Sequence, residues 1–294
     1  MLKIENASKS FGKKQVLNDL NLVVEDGSVF GLVGINGAGK STLLRCIAGG
    51  YQLEAGDVLF DGKDTYSKAA TRKDIILVGE ELYFAPNSSI KSNKDYYETF
   101  YNFDEEKYQK YLKMFHLDEN AQISTFSKGM KRQTGLLYAL SVNPKLLLLD
   151  ECFDGLDPLI RLTFKHALVD LIEDREITVI IASHNLKELE DICDSFGILE
   201  DGQINTYGDL LESKENVKKY QLVFDEVYEK SDFNDFDLLS YRKEGVVYTL
   251  VIKGDQEEVE TKLKARNPRL INELPVNFEE LFIYEVESRG LLDE

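Results

Sequence analysis

Gly34-Ile35-Asn36-Gly37-Ala38-Gly39-Lys40-Ser41-Thr42 fits the pattern GxxxxGK(S/T) and lies between an apolar run and a segment with helical periodicity. The apolar run, Phe30 to Val33, is typical of a buried strand. Glycines let the backbone N–H groups of such a loop turn toward phosphate oxygens, and the following helix points the positive end of its dipole at them. The pattern therefore predicts a phosphate-binding loop, in which Lys40 contacts the β- and γ-phosphates and Ser41 holds Mg²⁺.

A second short apolar run ends in two carboxylates. Leu146 to Leu149 is followed directly by Asp150 and Glu151. A central parallel strand delivers such residues to the carboxyl edge of its sheet, which is where ligands bind in open α/β sheets. We therefore predict that Asp150 is a ligand of Mg²⁺ and that Glu151 is a second acid at the same site.

The run Phe126-Ser127-Lys128-Gly129-Met130-Lys131-Arg132-Gln133 precedes a segment of helical periodicity that extends to about Val142. Ser127 is suited to be the N-cap of this helix. A capped helix N-terminus is also an anion-binding site. The structural and the phosphate-binding interpretations of Ser127 therefore coincide.

The order of these motifs resembles that of the ATP-binding cassette (ABC) ATPases over residues 1 to about 210. Ser127 to Gln133 resembles the signature loop of that family, in the SKGMK form common among bacterial ABC-2-type exporters. Phe11 resembles the aromatic residue that stacks on adenine, Asp157 belongs to a run resembling the D-loop, and His184 resembles the switch histidine that follows a strand.

This resemblance implies an ATP site and a set of catalytic residues. The implied catalytic residues are Glu151, His184 and Lys40. The implied ATP contacts are Phe11, Gly34, Asn36, Gly37, Ala38, Gly39, Lys40, Ser41, Thr42, Glu80, Ser127, Gly129 and Asp157, and the implied Mg²⁺ ligands are Ser41, Asp150 and Glu80.

Two residues depart from the commonest family pattern. The best alignment of Ile75 to Glu80 places Glu80 where most members have the Q-loop glutamine, and Glu81 lies one register away. A carboxylate can ligate Mg²⁺ or accept a hydrogen bond from water, but unlike an amide it cannot donate one. Lys128 stands where many members have glycine, and its positive charge is compatible with phosphate binding.

The composition bears on the partners of the protein. The chain of 294 residues carries a formal net charge of −18, which disfavours nucleic acid because phosphate contacts need a basic surface. No stretch approaches the ~20 apolar residues of a membrane helix, so we expect a cytoplasmic protein that reaches the inner face of the membrane through membrane subunits. Three cysteines, Cys46, Cys152 and Cys193, fit no metal-binding spacing and are expected to be reduced core thiols.

The periodicity predicts an α/β fold in two domains. Residues 1–214 are expected to form an ABC-type P-loop NTPase domain with a mainly parallel core sheet, an antiparallel β-subdomain in which Met1 to Asn6 is an edge strand, and a helical subdomain at about 83–143. Residues 215–294 are expected to form a small C-terminal accessory α/β domain. Its predicted elements are strands at 219–224 and 245–252 and helices at 256–266 and 277–287.

The resemblance also implies a mechanism that needs a second subunit. Ser127 and Gly129 of that subunit would cover the γ-phosphate, and Glu151 would act as general base in the closed dimer. The expected partners are another ABC ATPase subunit, in a homodimer or heterodimer, and integral membrane transporter subunits.

Three functions are compatible with these expectations. The leading one is the ATP-hydrolysing subunit of an ABC-2-type exporter, driven by ATP-dependent dimerisation. A soluble ABC ATPase acting on ribosomes or DNA is disfavoured by the single cassette and the acidic charge. An ATP-dependent sensing or resistance module would use the same motifs, so the sequence does not separate it from the exporter.

Overall fold

The chain contains both strands and helices, which alternate strictly between β7 and β9. The strands are β1 (Leu2–Phe11), β2 (Lys14–Val24), β3 (Val29–Val33), β4 (Ala55–Phe60), β5 (Lys63–Asp64), β6 (Ile75–Val78), β7 (Leu146–Asp150), β8 (Thr178–Ser183), β9 (Ser195–Glu200), β10 (Gln203–Asp209), β11 (Val217–Val223), β12 (Asp237–Glu244), β13 (Val247–Lys253) and β14 (Leu270–Leu274). The helices are α1 (Lys40–Ile47), α2 (Ala69–Arg72), α3 (Ile90–Phe100), α4 (Glu105–Met114), α5 (Lys128–Ser141), α6 (Pro158–Glu173), α7 (Leu186–Glu190) and α8 (Gln256–Lys264). This computed structural model describes residues 1–173, 177–209, 216–277, 279–281 and 283–284. The chain divides into two compact units, Met1–Tyr207 and Gly208–Glu294.

The central sheet of the first unit has the strand order β10-β9-β3-β8-β7-β6. The neighbours from β9 to β6 pair in parallel. Every residue of β3, β7 and β8 is buried, as expected of strands covered on both faces. Val33 pairs with Ser183, and Asp150 pairs with Ala182. The segments that follow these three strands therefore begin at one edge of the sheet.

The antiparallel sheet of the first unit has the order β2-β1-β4-β5. Leu2 pairs with Val24 on one side and with Phe60 on the other. The prediction that the N-terminal residues form an edge strand is therefore wrong. β1 is an inner strand because both of its sides are hydrogen-bonded, and Leu2, Ile4 and Ala7 enter the core.

Three helices, α3, α4 and α5, lie between β6 and β7 in sequence. Many of their aromatic rings are internal, such as Tyr97 and Tyr138, whose ring centroids are 4.3 Å apart. The Tyr138 hydroxyl donates to the carbonyl of Ile90 at 2.6 Å. Tyr83, which precedes α3, is instead 91% exposed. This part of the chain therefore has an aromatic interior and an exposed aromatic residue near the end of β6.

The second unit contains an antiparallel sheet of order β12-β13-β11-β14. The predicted strands correspond to β11 and β13, and the predicted helix at 256–266 corresponds to α8. β12 and β14 were not predicted, and they pair with β13 and β11 at the two sides of the sheet. The predicted helix at 277–287 lies partly outside the described residues.

Candidate active site

The phosphate loop connects β3 to α1 and depends on two glycines. Gly37 and Gly39 have φ of 85° and 110°, a region that residues with side chains rarely adopt. A Cβ on Gly39 would also lie 2.9 Å from Cγ1 of Val16. Gly39 is the N-cap of α1 and supplies no capping side chain. The first backbone N–H groups of α1 are therefore available to an anion.

Lys40 is buried in this loop. Its Nζ donates to the carbonyl of Gly34 at 2.6 Å and to that of Ile35 at 3.3 Å. The same Nζ lies 3.5 Å from Oε1 of Glu151. Lys40 is thus held at the loop by backbone acceptors, with its charge facing the end of β7.

Asp150 ends β7 as a buried carboxylate. Its Oδ1 has no hydrogen-bond partner among the described residues, while the Ser41 side chain hydrogen-bonds to the carboxyl group. Burial raises the pKa of Asp150, against the opposing effect of that Ser41 hydrogen bond. A buried oxygen without a partner is unfavourable by itself and suits a cation ligand.

Glu151 follows in a left-handed backbone conformation, with φ of 47°. Its N–H donates to the carbonyl of Ala182 at 2.9 Å. Its Oε2 lies 2.9 Å from Nδ1 of His184 and accepts from the His184 backbone N–H at 3.4 Å. The carboxylate of Glu151 therefore lies between Lys40 and His184, which positions a potential general base beside the phosphate loop.

Lys40, Glu151 and His184 line one open cavity of about 570 Å³, whereas the buried Asp150 does not. Phe11 at its rim is 47% exposed and packs edge-on against Tyr51, with centroids 5.5 Å apart. The predicted residues that line the cavity are Phe11, Asn36, Gly37, Gly39, Lys40, Ser41, Thr42, Glu80, Glu151 and His184. Gly34 and Ala38 belong to the same loop, where the N–H of Ala38 donates to the carbonyl of Ile35 at 3.2 Å.

Four other predicted residues do not line this cavity, and Asp150, at the buried end of β7, is one of them. Ser127 caps α5 and accepts from the N–H of Met130 at 3.2 Å. Gly129 lies against the backbone of Gly155, whose carbonyl oxygen would be 2.7 Å from a Cβ at position 129. Asp157 caps α6 and accepts from the N–H groups of Leu159 and Ile160 at 3.0 and 3.1 Å.

Sequence reasoning did not select Asp154, Lys14, Val16 or Arg132. The first three line the cavity. Ligand atoms of Asp154, Glu151 and His184 all lie within 4.8 Å of one another. The acidic run after β7 contains a signal for Asp154, since it is the next carboxylate after Glu151. Arg132 carried no such signal.

Comparison with known proteins places this geometry in a family. The ABC transporter family matches residues 17–154. ABC transporter ATP-binding protein YtrB of Bacillus subtilis is 33% identical over 288 residues, which are 96% of this chain and 97% of that protein. The chain belongs to the ABC transporter ATP-binding protein family. Membership of this family confirms the predicted P-loop NTPase fold and the predicted ATPase activity.

Two further relatives cover about seven-tenths of this ABC ATPase. Lantibiotic transport ATP-binding protein SrtF of Streptococcus pyogenes is 33% identical over 209 residues, which are 69% of this chain and 89% of that protein. A solved ATP-binding subunit of an ABC transporter aligns with a TM-score of 0.67 and 26% identity, over 73% of this chain and 92% of that one. ABC ATP-binding subunits of this kind dimerise, associate with membrane permease subunits and energise transport. In the described part of the chain, no helix has both the length and the apolar composition needed to cross a membrane.

Proposed function

We propose that this ABC ATPase energises an ABC-2-type exporter from the cytoplasmic face of a bacterial membrane. The SKGMK form of the signature loop, Ser127 to Lys131, supports this subgroup, as does Glu80 at the Q-loop position. The name of the SrtF relative also describes lantibiotic transport. Integral membrane subunits would hold the chain at the membrane and form the path of the exported substrate.

The oxygen atoms around Asp150 fit a magnesium ion. Magnesium prefers carboxylate and hydroxyl oxygens, and the partnerless Oδ1 of Asp150 lies in a carboxyl group that already contacts Ser41. We assign Ser41, Asp150 and Glu80 as the residues that hold Mg²⁺, which when bound would neutralise charge on the phosphates of ATP. A bound cation would also reverse the effect of burial on the pKa of Asp150.

Glu151 is the proposed general base for hydrolysis. It would accept the proton of the attacking water, while Lys40 stabilises negative charge on the β- and γ-phosphates. The bond between Glu151 and Nδ1 of His184 leaves the other ring nitrogen, Nε2, available to contact the γ-phosphate. Phe11 is exposed enough to stack on adenine at the rim of the cavity.

One observation supports ATP-driven dimerisation in particular. Ser127 and Gly129 lie outside the cavity that Lys40 and Glu151 line in the same chain. Their backbone N–H groups at the start of α5 would form a second phosphate-binding surface. We infer that a second ABC subunit, identical or homologous, brings its Ser127 and Gly129 counterparts to this cavity when ATP is bound.

The test of dimerisation uses the full chain with Glu151→Gln, which should retain bound ATP. Its molar mass is measured by size-exclusion chromatography with light scattering, with and without Mg²⁺ and ATP. A doubled mass that depends on ATP, and that Lys40→Ala abolishes, supports the homodimer. A mass that stays monomeric while ATP is bound contradicts a homodimer and requires a different ABC subunit as partner.

The membrane role is tested by affinity purification of the tagged chain from detergent-solubilised native membranes. A polytopic membrane protein that is recovered in stoichiometric amount supports the exporter. Reconstitution of that complex then measures substrate movement, and ATP hydrolysis without movement would favour a sensing module. Recovery of ribosomal proteins alone would favour a soluble ABC ATPase.

A further inference from the structure

Arg132 is a buried cation at the junction of three functional segments. It lies on α5, five residues after Ser127, and is 1% exposed. Its Nη1 donates to the carbonyls of Asp150, at 3.2 Å, and of Glu151, and its Nη2 donates to the carbonyl of Glu80 at 3.0 Å. One guanidinium therefore connects the signature helix, the end of β7 and the segment after β6.

All three of these acceptors are backbone carbonyls. Among the described residues, no carboxylate lies within ion-pair distance of Arg132. A buried charge is unfavourable unless it is fully hydrogen-bonded, and an apolar residue of similar volume often stabilises a fold equally well. The burial of an arginine at this position is therefore better explained by the three carbonyls that it holds than by a gain in stability.

The contact with Glu151 has a specific consequence. Glu151 adopts a left-handed conformation, and such a conformation is unfavourable in a residue with a side chain unless the surrounding structure holds it. The N–H of Glu151 is bonded to Ala182, and its carbonyl is bonded to Arg132. Hydrogen bonds to both its N–H and its carbonyl therefore fix the backbone of Glu151. This also fixes the position of the Cα atom from which the side chain extends.

We infer that Arg132 is a positioning residue for hydrolysis, because it fixes the backbone of Glu151 relative to α5 and Glu80. This inference rests on the proposed role of Glu151 as general base. Displacement of a reacting group by about 1 Å can lower a rate roughly 100-fold. Arg132 also lines a groove of about 300 Å³ with Glu80, Glu81, Leu82, Tyr83, Lys128 and Lys131, so the space that truncation of Arg132 would leave adjoins this groove.

The first variant is Arg132→Lys in the full chain. Lysine keeps the charge, but its single ammonium group cannot reproduce the planar fork that reaches three carbonyls. We expect kcat for ATP hydrolysis to fall at least tenfold, while KM and the Kd for ATP stay within twofold, because Phe11 and Lys40 are unchanged. Tyr83→Phe is the matched control, since Tyr83 lines the same groove and is 91% exposed; it should keep the wild-type kcat.

The second variant is Arg132→Ala, assayed with guanidinium chloride at millimolar concentrations, far below those that unfold proteins. Partial recovery of kcat by guanidinium, but not by ammonium or urea at the same concentration, supports the inference. Wild-type kcat in Arg132→Lys overturns it. A joint loss of kcat, ATP affinity and melting temperature in both variants also overturns it, because that pattern assigns Arg132 to stability alone.

Glu151→Gln is assayed in parallel to separate the two proposals. If Glu151→Gln retains turnover, the assignment of the general base fails. If Glu151→Gln loses turnover while Arg132→Lys retains it, the assignment of the base stands and the inference about Arg132 fails.

Discussion

The two units of the chain differ in whether they bury charged side chains. In Met1–Tyr207, the side chains of Lys40, Arg132, Asp150, Glu151 and Glu188 are all buried. In the described part of Gly208–Glu294, no lysine, arginine, aspartate or glutamate is buried. Burial of charge disfavours folding unless a specific partner offsets it. The first unit therefore buries charges that are unfavourable by themselves, and four of them, Lys40, Arg132, Asp150 and Glu151, lie at or beside the candidate active site, whereas the described part of the second unit buries none.

Aromatic packing stabilises the second unit instead. Phe233 is fully buried and lies within 6.3 Å, centroid to centroid, of Phe224, Tyr228, Phe236 and Tyr241. Arg266 lies over two of these rings, Phe233 and Phe236, at 5.4 and 4.8 Å. We therefore expect a substitution in the cluster around Phe233 to act on stability, and a substitution of a buried charge at the candidate active site to act on chemistry.

Phe233→Ala should show the stability effect of the second unit. Truncation of a buried phenylalanine leaves a cavity and typically costs about 3–5 kcal/mol. We expect the free energy of unfolding of this unit to fall by about that amount, with unchanged Kd for ATP, as measured by denaturant unfolding and nucleotide titration. Phe236→Ala, at a half-buried position in the same cluster, is the control and should cost less. Lost ATP affinity in a folded Phe233→Ala chain would contradict the separation of roles.

Glu151→Gln should show the chemical effect of the first unit. The amide cannot accept the proton of the attacking water, and loss of one catalytic electrostatic contact typically costs ~3–4 kcal/mol of barrier, or roughly 10²–10³ in rate. We expect ATP binding to persist, since Lys40 keeps its bonds to Gly34 and Ile35. Phosphate release in single-turnover assays measures the effect. Turnover at the wild-type rate would remove Glu151 from the mechanism.

The central sheet could be predicted from sequence because β3, β7 and β8 are continuous apolar runs. β12 and β14 could not, since their residues are mostly half-buried or exposed and show neither an apolar run nor a clear alternation. The sequence also did not predict that β1 is an inner strand of its sheet. Its pairing with β4 joins residues that are distant in sequence, such as Leu2 and Phe60, which are 58 positions apart.

Residues of the candidate site could likewise be predicted only where they form a local sequence pattern. The loop from Gly34 to Thr42 and the pair Asp150 and Glu151 are local patterns, so the sequence displays them directly. Arg132 acts on carbonyls 18, 19 and 52 positions away. Backbone carbonyls carry no side-chain identity, and therefore no residue pattern could indicate that contact.

Glu188→Gln should give a smaller effect that depends on pH. Burial raises the pKa of Glu188, and neither Arg161 at 3.0 Å nor the Ser183 hydroxyl at 3.3 Å fully offsets it. A carboxyl group whose pKa is higher in the folded state destabilises that state as pH rises above its unfolded value. The melting temperature of Glu188→Gln relative to wild type should therefore rise between pH 4 and pH 7. A difference that falls over this range would show that the ion pair with Arg161 outweighs burial.

Glu280→Gln makes the same substitution as Glu151→Gln beside a lysine of the other unit. The Glu280 carboxylate lies 2.6 Å from Nζ of Lys219, closer than the 3.5 Å between Glu151 and Lys40. Its side chain is 29% exposed, against 10% for Glu151, and exposed ion pairs contribute only about 0–1 kcal/mol. We expect ATP hydrolysis to be unchanged and the free energy of unfolding to fall by at most about 1 kcal/mol. Thermal unfolding at pH 7 measures the second effect, because Lys219, whose pKa is raised, is charged at that pH. We expect the shorter ion pair to have the smaller effect on the protein. The two variants therefore test whether burial and position in the fold, and not the distance between the charged atoms, determine the effect of the substitution. A fall in turnover with Glu280→Gln would instead show that the second unit controls the chemistry of the first.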